Sequence, residues 1–358
     1  MKNDLKKKDR IFDAISMGLM RIIVPGILIC LLPMALMAGR GDKAGTAGAS
    51  ELLIPIGARG IALNGSALAM SDGLESIYWN PAGIARSPYS ADFMFSHMAY
   101  FADIGVDYLG MSTNLGDFGR LGFSIKSLSF GKIAITTEDA PDGTGEYATP
   151  AYYVIGGTIA RLITDHIAFG VNGNYIIENM EKVSATDYAF TIGIQYKGLG
   201  GIDNLSVGVV LRNIGPQIQY TGDGLLRNAV IDGALRPSST VQIEAASNDL
   251  PSTIEIGLGY TSVLNENSSL NLTSTFQNNN YSDDVYRFGG EYAYQKFIFF
   301  RGGISLLSSE SSDNSVFGPS AGVGLFTTIG GTSVNVDYAF QSTKYFSGNH
   351  IIAISVGL

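Results

Sequence analysis

The stretch DYAFTIGIQYK, Asp187 to Lys197, alternates in character at every position. The face with bulky apolar side chains consists of Tyr188, Phe190, Ile192, Ile194 and Tyr196. The opposite face is small or polar and consists of Asp187, Ala189, Thr191, Gly193, Gln195 and Lys197. Successive side chains of a β-strand point to opposite sides of the sheet. The stretch therefore predicts a strand with one apolar and one polar face.

The same period of two recurs along the chain, for example in TIEIGLGYT (residues 253–261) and SVNVDYAFQ (residues 333–341). An even number of strands, each near the 9–11 residues that a tilted membrane-spanning strand needs, is typical of a transmembrane β-barrel. We predict an all-β fold, an antiparallel barrel of about fourteen strands. The predicted strands are 90–100, 106–115, 119–130, 151–162, 166–180, 184–197, 205–213, 253–263, 268–278, 284–295, 297–307, 316–329, 332–341 and 348–358.

The lengths of the predicted connections follow the same logic. Every connection after an even-numbered strand is short, whereas the long loops 131–150, 214–252 and 308–315 all follow odd-numbered strands. Membrane barrels have short periplasmic turns at one end and longer outer loops at the other. A soluble sandwich gives no reason for this parity, so the parity favours the barrel.

The composition fits an exported membrane barrel. Of the 358 residues only 15% are charged and 46% are hydrophobic, with 45 glycines, whereas soluble domains carry about 25% charged residues. The net charge of −9 argues against a nucleic-acid partner. The predicted partner is outer-membrane lipid.

Residues 1–38 are predicted to be a signal peptide. A basic start is followed by the apolar run Ile22–Met37, and Leu36-Met37-Ala38 fits a cleavage site. The single cysteine, Cys30, lies in this run, so the mature chain is predicted to have no disulfide. Export without a later apolar helix places the chain in the periplasm, in the medium or, as the strands favour, in the outer membrane of a diderm bacterium.

Between the signal peptide and the first strand lies a segment without strand periodicity, residues 39–89. Its first part is small and flexible in composition, and its second part is apolar but irregular. Asn80 and Pro81 fit the N-cap and first position of a short helical turn. A fourteen-stranded barrel is wider than those that side chains fill and narrower than open pores. Residues 51–89 are therefore predicted to plug the lumen as a hatch, before the barrel domain 90–358.

The polar faces of the strands carry ionisable residues of both signs. Charges facing lipid at mid-depth cost about 2–4 kcal/mol for Arg or Lys, so these residues are predicted to line the lumen. They either hold the hatch and structure the lumen or bind a solute. The residues are Lys126, Glu178, Asp187, Lys197, Arg212, Glu255, Arg287, Glu291, Arg301 and Asp337.

The chain lacks the familiar catalytic motifs GxGxxG, HExxH, GxSxG and the P-loop. Its histidines, His97, His166 and His350, lie far apart and without acidic neighbours at metal-ligand spacing. We therefore predict that the protein is not an enzyme and holds no metal or cofactor.

Residues 55–85, PIGARGIALNGSALAMSDGLESIYWNPAGIA, resemble the N-terminal signature of the PorV/PorQ family of FadL-like outer-membrane proteins. The resemblance implies a fourteen-stranded barrel with an internal hatch and a non-enzymatic role in type IX secretion. The implied partners are the type IX translocon, the attachment complex and the C-terminal domains of secreted cargo. The hatch residues that carry the resemblance are Arg59, Asp72, Trp79, Asn80, Pro81, Ala82 and Gly83.

Two further interpretations stay open. The likeness to FadL implies, as the alternative, an outer-membrane transporter for hydrophobic small molecules, although many lumen charges count against an apolar tunnel. A purely structural barrel or a secreted soluble β-protein is the third interpretation. In every hatch-containing version, Trp79 is expected to anchor the hatch against the lumen wall, and Asn80 and Pro81 to direct the chain into the first strand.

Overall fold

A computed structural model describes residues 45–230, 238–308 and 315–358. Within these ranges fourteen antiparallel strands form a closed barrel, in which each strand pairs with its neighbours in the chain and β14 pairs with β1. The strands are β1 (Ala91–Ala99), β2 (Gly105–Asn114), β3 (Arg120–Ser129), β4 (Ala151–Leu162), β5 (Ile167–Met180), β6 (Val183–Lys197), β7 (Leu205–Ile214), β8 (Thr253–Asn265), β9 (Ser268–Asn279), β10 (Val285–Tyr294), β11 (Ile298–Leu307), β12 (Phe317–Ile329), β13 (Thr332–Thr343) and β14 (Asn349–Gly357).

The predicted all-β barrel of fourteen strands is confirmed, and each predicted strand end lies within two residues of the observed one. The predicted signal peptide, residues 1–38, lies outside the described residues.

Strand β6 shows why alternation produces this barrel. Asp187, Ala189 and Gln195 are buried in the interior, while Tyr188 and Phe190 are about half exposed on the outside. The apolar face therefore points outward, the reverse of a soluble protein. Such a surface is stable when lipid, rather than water, surrounds it.

The connections divide the barrel into two different ends. The loops 130–150, 215–252 and 308–316 follow β3, β7 and β11, and this end is called the long-loop end. The turns at the opposite, short-turn end are brief, the longest being 198–204. Two-stranded ladders stiffen the long loops, for example Leu226–Ala229 paired with Ser239–Gln242.

The helical elements are short. Helices α1 (Ala58–Ala62) and α2 (Ser76–Trp79) lie before the barrel, and no helix in the described ranges has the length and apolarity to cross a membrane. The 3₁₀ turns are Ser50–Leu53, Pro81–Arg86, Gly116–Phe118, Leu199–Gly201 and Asp223–Leu225.

Residues 45–89, called the N-terminal segment, run between the two ends of the barrel. At the long-loop end the Gly48 amide donates to the Asp249 carbonyl at 3.0 Å, within the 215–252 loop. At the short-turn end the ring of Tyr89 packs over Gly357, and the Ser90 amide donates to the Leu358 carbonyl at 2.7 Å. Helix α1 contacts strands β11 to β14, and the turn Pro81–Arg86 contacts β3 to β6 on the other side. The segment therefore contacts strands on two sides of the barrel.

Glycines in the wall let the backbone of the segment approach closely. A Cβ atom on Gly193 of β6 would lie 2.1 Å from Asn80 Oδ1, and one on Gly170 of β5 would lie 2.4 Å from the Pro81 carbonyl carbon. No side chain fits at such distances. Part of the high glycine content therefore makes room for the N-terminal segment.

Candidate functional site

Asn80 joins the N-terminal segment to the barrel wall. Its Oδ1 accepts from the Ala82 amide at 3.2 Å, which makes Asn80 the N-cap of the turn Pro81–Arg86. Its Nδ2 donates to the Leu68 carbonyl at 3.2 Å and to the Ile194 carbonyl of β6 at 3.1 Å. The predicted cap and helical start at Asn80 and Pro81 are confirmed. One fully buried amide thus ties the turn, the preceding segment and the wall together.

Trp79, the only tryptophan, holds the N-terminal segment to itself. Its Nε1 donates to the Ile56 carbonyl at 3.2 Å, and its ring lies so close to Gly60 that a Cβ there would be 2.0 Å away. The Tyr78 ring meets it edge-on with centroids 4.9 Å apart. Trp79 was expected to anchor the segment against the barrel wall. Asn80 makes the direct hydrogen bond to the wall, whereas Trp79 bonds back to Ile56 within the segment.

Arg212 of β7 binds the end of helix α2 from the wall. Its guanidinium donates to the Tyr78 carbonyl and, at 3.0 Å, to the Trp79 carbonyl, and it lies over the Tyr78 ring. The carboxylate of Glu255 in β8 pairs with it through two bonds of 2.8 and 3.2 Å. The guanidinium thus satisfies carbonyls that the short helix leaves without partners, and its own charge is balanced.

A chain of ion pairs holds helix α1 from the opposite side. Glu291 of β10 accepts from Arg59 Nε at 2.9 Å and from Arg301 Nε of β11 at 2.6 Å. Arg59 also pairs with Asp72 at 2.7 Å, and Arg301 pairs with Asp337 of β13 at 2.5 Å. One network of ion pairs therefore joins Arg59 and Asp72 of the sequence signature to three predicted lumen charges, Glu291, Arg301 and Asp337.

Glu75, which the sequence analysis did not single out, caps helix α1. Its carboxylate oxygens accept from the Arg59 amide at 3.1 Å and from the Gly60 amide at 2.9 Å. Burial, and after it the charge of Asp337, raises the pKa of Glu75 to about 7. Glu75 lies in the apolar stretch 55–85, and a carboxylate in such a stretch needs hydrogen-bond donors nearby when the stretch is buried. This position is what could have identified Glu75 from the sequence.

Glu51 and Glu178 form a second buried contact, near the long-loop end. Glu51 is 1% exposed, and neither of its carboxylate oxygens finds a hydrogen-bond donor among the described residues. Glu178 of β5 accepts from the Tyr220 hydroxyl in the 215–252 loop. The pKa of Glu51 is raised to about 8, mainly by burial and then by the negative charge of the adjacent Glu178. At neutral pH the protonated Glu51 carboxyl is therefore free to donate to Glu178.

The other predicted site residues are spread along the N-terminal segment and the strands. Pro81, Ala82 and Gly83 are buried, and Asp72 is exposed at the short-turn end. Asp187 accepts from the Tyr188 amide, Lys197 is exposed at the end of β6, and Lys126 of β3 donates to the Glu51 and Ile54 carbonyls at 2.6 and 3.0 Å.

The pair of Asp92 in β1 and Arg120 in β3 was missed from the sequence. Both residues lie on the polar faces of their strands, close to the strand ends, and this position could have identified them as lumen charges.

Two cavities lie on opposite sides of the N-terminal segment. The long-loop cavity has a volume of about 590 Å³ and is lined by Tyr78, Trp79, Arg212, Tyr281, Arg287 and Phe317, among others. The short-turn cavity has a volume of about 370 Å³ and is lined by Arg59, Glu75, Arg86, Glu291, Arg301 and Asp337, among others. The segment, with its ion pairs and the Asn80 bonds, forms the partition between them.

No protein-family model matches the chain, and no curated protein matches it. Among solved structures, the Pseudomonas putida toluene transporter TodX is similar, with a TM-score of 0.55 and 13% identity over 84% of this chain and 97% of that chain. The CymD monoaromatic hydrocarbon channel is similar, with a TM-score of 0.53 and 12% identity over 85% of this chain and 97% of that chain. At such identities the likeness shows a shared fold.

Proposed function

We propose that the protein is an outer-membrane channel for small, largely apolar molecules, with the N-terminal segment as its hatch. The observation that carries the proposal is the pair of cavities, about 590 and 370 Å³, on the two sides of one segment inside a closed barrel. Both volumes are within the range that holds small ligands, about 300–1,000 Å³. A shift of the segment would join them into a path through the barrel.

The surface of the barrel supports a place in the outer membrane. Large apolar side chains such as Phe93, Phe95, Leu109 and Met111 are about half exposed on adjacent strands β1 and β2. The short turns would then face the periplasm and the long loops the outside.

The names of TodX and CymD support the choice of solute. The first is a toluene transporter and the second a channel for monoaromatic hydrocarbons. We therefore propose hydrophobic small molecules, the alternative interpretation of the sequence, as the solute class of this chain.

The lumen charges counted against this function in the sequence analysis, and their partners remove most of that objection. Arg212 pairs with Glu255, and Arg301 pairs with Glu291 and Asp337. These residues line the two cavities, but each charge is balanced by its partner, which lowers the cost of placing an apolar solute beside it. A role in type IX secretion, implied by the PorV/PorQ signature, has no support among the contacts or the structural neighbours and stays a prediction.

The test is uptake by whole cells, because the outer leaflet of lipopolysaccharide, unlike an ordinary bilayer, resists apolar solutes. A host bacterium with an outer membrane would express the protein, and the initial uptake of radiolabelled toluene would be measured. We expect several-fold faster uptake than in cells with an empty vector.

Trp79→Ala tests whether the N-terminal segment separates the two cavities, because this variant removes the side chain that packs the segment on itself. Planar bilayers with this variant should show a raised ion conductance, whereas Trp79→Phe should stay close to the wild type. Equal toluene uptake with and without the protein, at verified surface expression, would overturn the proposed function.

A further inference from the structure

The long-loop cavity contains an arginine that has no hydrogen-bond or ion-pair partner among the described residues. Arg287 of β10 is partly buried and lines the cavity beside Gly65 of the N-terminal segment. It makes no hydrogen bond and no ion pair with any residue in the described ranges, in contrast to Arg212, which lines the same cavity. A guanidinium presents five donors in a planar fork that matches a carboxylate.

Tyr281 places a second donor next to Arg287. It lies in the connection between β9 and β10 and lines the cavity, and its hydroxyl has no hydrogen-bond partner among the described residues. Burial raises the pKa of Tyr281, against the opposing effect of the nearby Arg287 guanidinium. The phenol therefore stays protonated and able to donate at any physiological pH.

Aromatic rings also line the cavity. Tyr78 and Trp79 come from the N-terminal segment, and Phe317 comes from the start of β12. The Tyr78 hydroxyl already donates to the Leu53 carbonyl at 3.0 Å, so Tyr78 offers its ring. Planar apolar groups pack well between such rings.

The acidic residues of the cavity make no hydrogen bond or ion pair with Arg287 in the described structure, although the charge of Glu255 acts on it from a distance. Glu255 is engaged by Arg212 and by the Thr253 hydroxyl. Asp283, in the connection above the cavity, lines it but makes no ion pair with Arg287 in the described structure. A neutral hydrocarbon filling the cavity would displace the water around the guanidinium and offer no bond in its place.

We propose that the long-loop cavity binds small aromatic carboxylates, with the carboxylate on Arg287 and Tyr281 and the ring between Tyr78, Trp79 and Phe317. This inference rests on the proposed channel function and narrows its solute class from hydrocarbons in general to apolar acids. An ionised acid compensates the arginine by a charge-assisted, two-point bond, and its ring occupies the space that a hydrocarbon would occupy.

Trp79 provides the readout, since the chain has a single tryptophan. The purified protein in detergent would be titrated with 4-iodobenzoate, whose iodine quenches tryptophan fluorescence on contact, and with the uncharged isostere 4-iodobenzamide. We expect saturable quenching by the carboxylate and at least tenfold weaker binding of the amide. Calorimetric titration would give the same affinities independently of fluorescence.

Three variants assign the effect to residues. Arg287→Gln should weaken carboxylate binding about tenfold or more and leave the amide unchanged, because only the charged hydrogen bonds are lost. Arg287→Lys should restore part of the affinity, and Tyr281→Phe should weaken it a few-fold. Arg161→Gln, at an exposed arginine near the short-turn end, is the matched control and should bind as the wild type does.

Equal affinity for acid and amide, or carboxylate binding that survives Arg287→Gln, would overturn the proposal. Parallel uptake measurements keep the two proposals apart. Toluene uptake without carboxylate binding would reject the acid site and keep the channel. Carboxylate binding without uptake of either compound would keep the site and reject the channel.

Discussion

The two cavities are built from the same kinds of side chains but use arginine in opposite ways. In the short-turn cavity, Arg59 and Arg301 both bind Glu291, and the carboxylates of Asp72 and Asp337 complete the chain. In the long-loop cavity, Arg287 has no partner in the described structure. Lumen charges therefore serve two purposes. Paired arginines, including Arg212 of the long-loop cavity, hold the N-terminal segment, whereas Arg287 remains available for a ligand.

The largest effect should come from breaking the short-turn network at its centre. Glu291→Gln removes the carboxylate that the partly buried Arg59 and the buried Arg301 share, and breaking a buried ion pair costs about 3–5 kcal/mol. We expect a loss of about 3 kcal/mol in the free energy of unfolding, measured by urea titration of the protein folded into lipid vesicles. Glu266→Gln, at an exposed glutamate in the β8–β9 turn, should leave that free energy unchanged, and an equal loss in both variants would contradict the role of the network.

A methyl group in the wall should disturb the partition between the cavities. Gly193→Ala would place a Cβ at 2.1 Å from Asn80 Oδ1, which displaces the amide and costs about 1–3 kcal/mol. We expect lower stability and a raised conductance in planar bilayers. Gly157→Ala is the control, because a Cβ there meets no atom within 4 Å, and unchanged conductance in both variants would argue against close contact between segment and wall.

Raising the pH should loosen the long-loop end of the segment through Glu51. Because the pKa of Glu51 is raised from the usual 4.5 to about 8, its stabilising contribution is complete below pH 4.5 and is lost by about pH 8. The opening equilibrium of residues 45–55, measured by amide hydrogen exchange, should therefore rise by up to about tenfold per pH unit in this window. Glu51→Gln should flatten the profile, whereas Glu181→Gln, at an exposed position of the β5–β6 turn, should not.

The smallest effect should come from the free arginine. Arg287→Gln breaks no hydrogen bond or ion pair of the described structure, so the free energy of unfolding should change by no more than about 0.5 kcal/mol. Arg212→Gln, at the paired arginine of the same cavity, should cost several times more, because Glu255 and two helix carbonyls lose their donor. A similar loss of unfolding free energy in the two variants would contradict the distinction between arginines that hold the segment and an arginine that is free for a ligand.

Much of the barrel could be predicted because strand periodicity is local. The alternation in β6 gives both the strand and its outward apolar face from eleven consecutive residues, Asp187 to Lys197. The cap at Asn80 is equally local, since its partner amide is two residues away. The partners of the charges are not local: Arg59 and Glu291 lie 232 positions apart. Periodicity indicates that Glu291 faces the lumen, but no local pattern indicates that Arg59 meets it.

By itself the sequence determined the number and limits of the strands, their outward apolar faces and the position of an irregular segment before them, because each of these is set by neighbouring residues. Tertiary structure decided which lumen charges are paired, that Trp79 packs on its own segment, and that Arg287 lines a cavity without a direct partner among the described residues. These features depend on barrel closure, which brings strands far apart in the chain to the same level of the lumen.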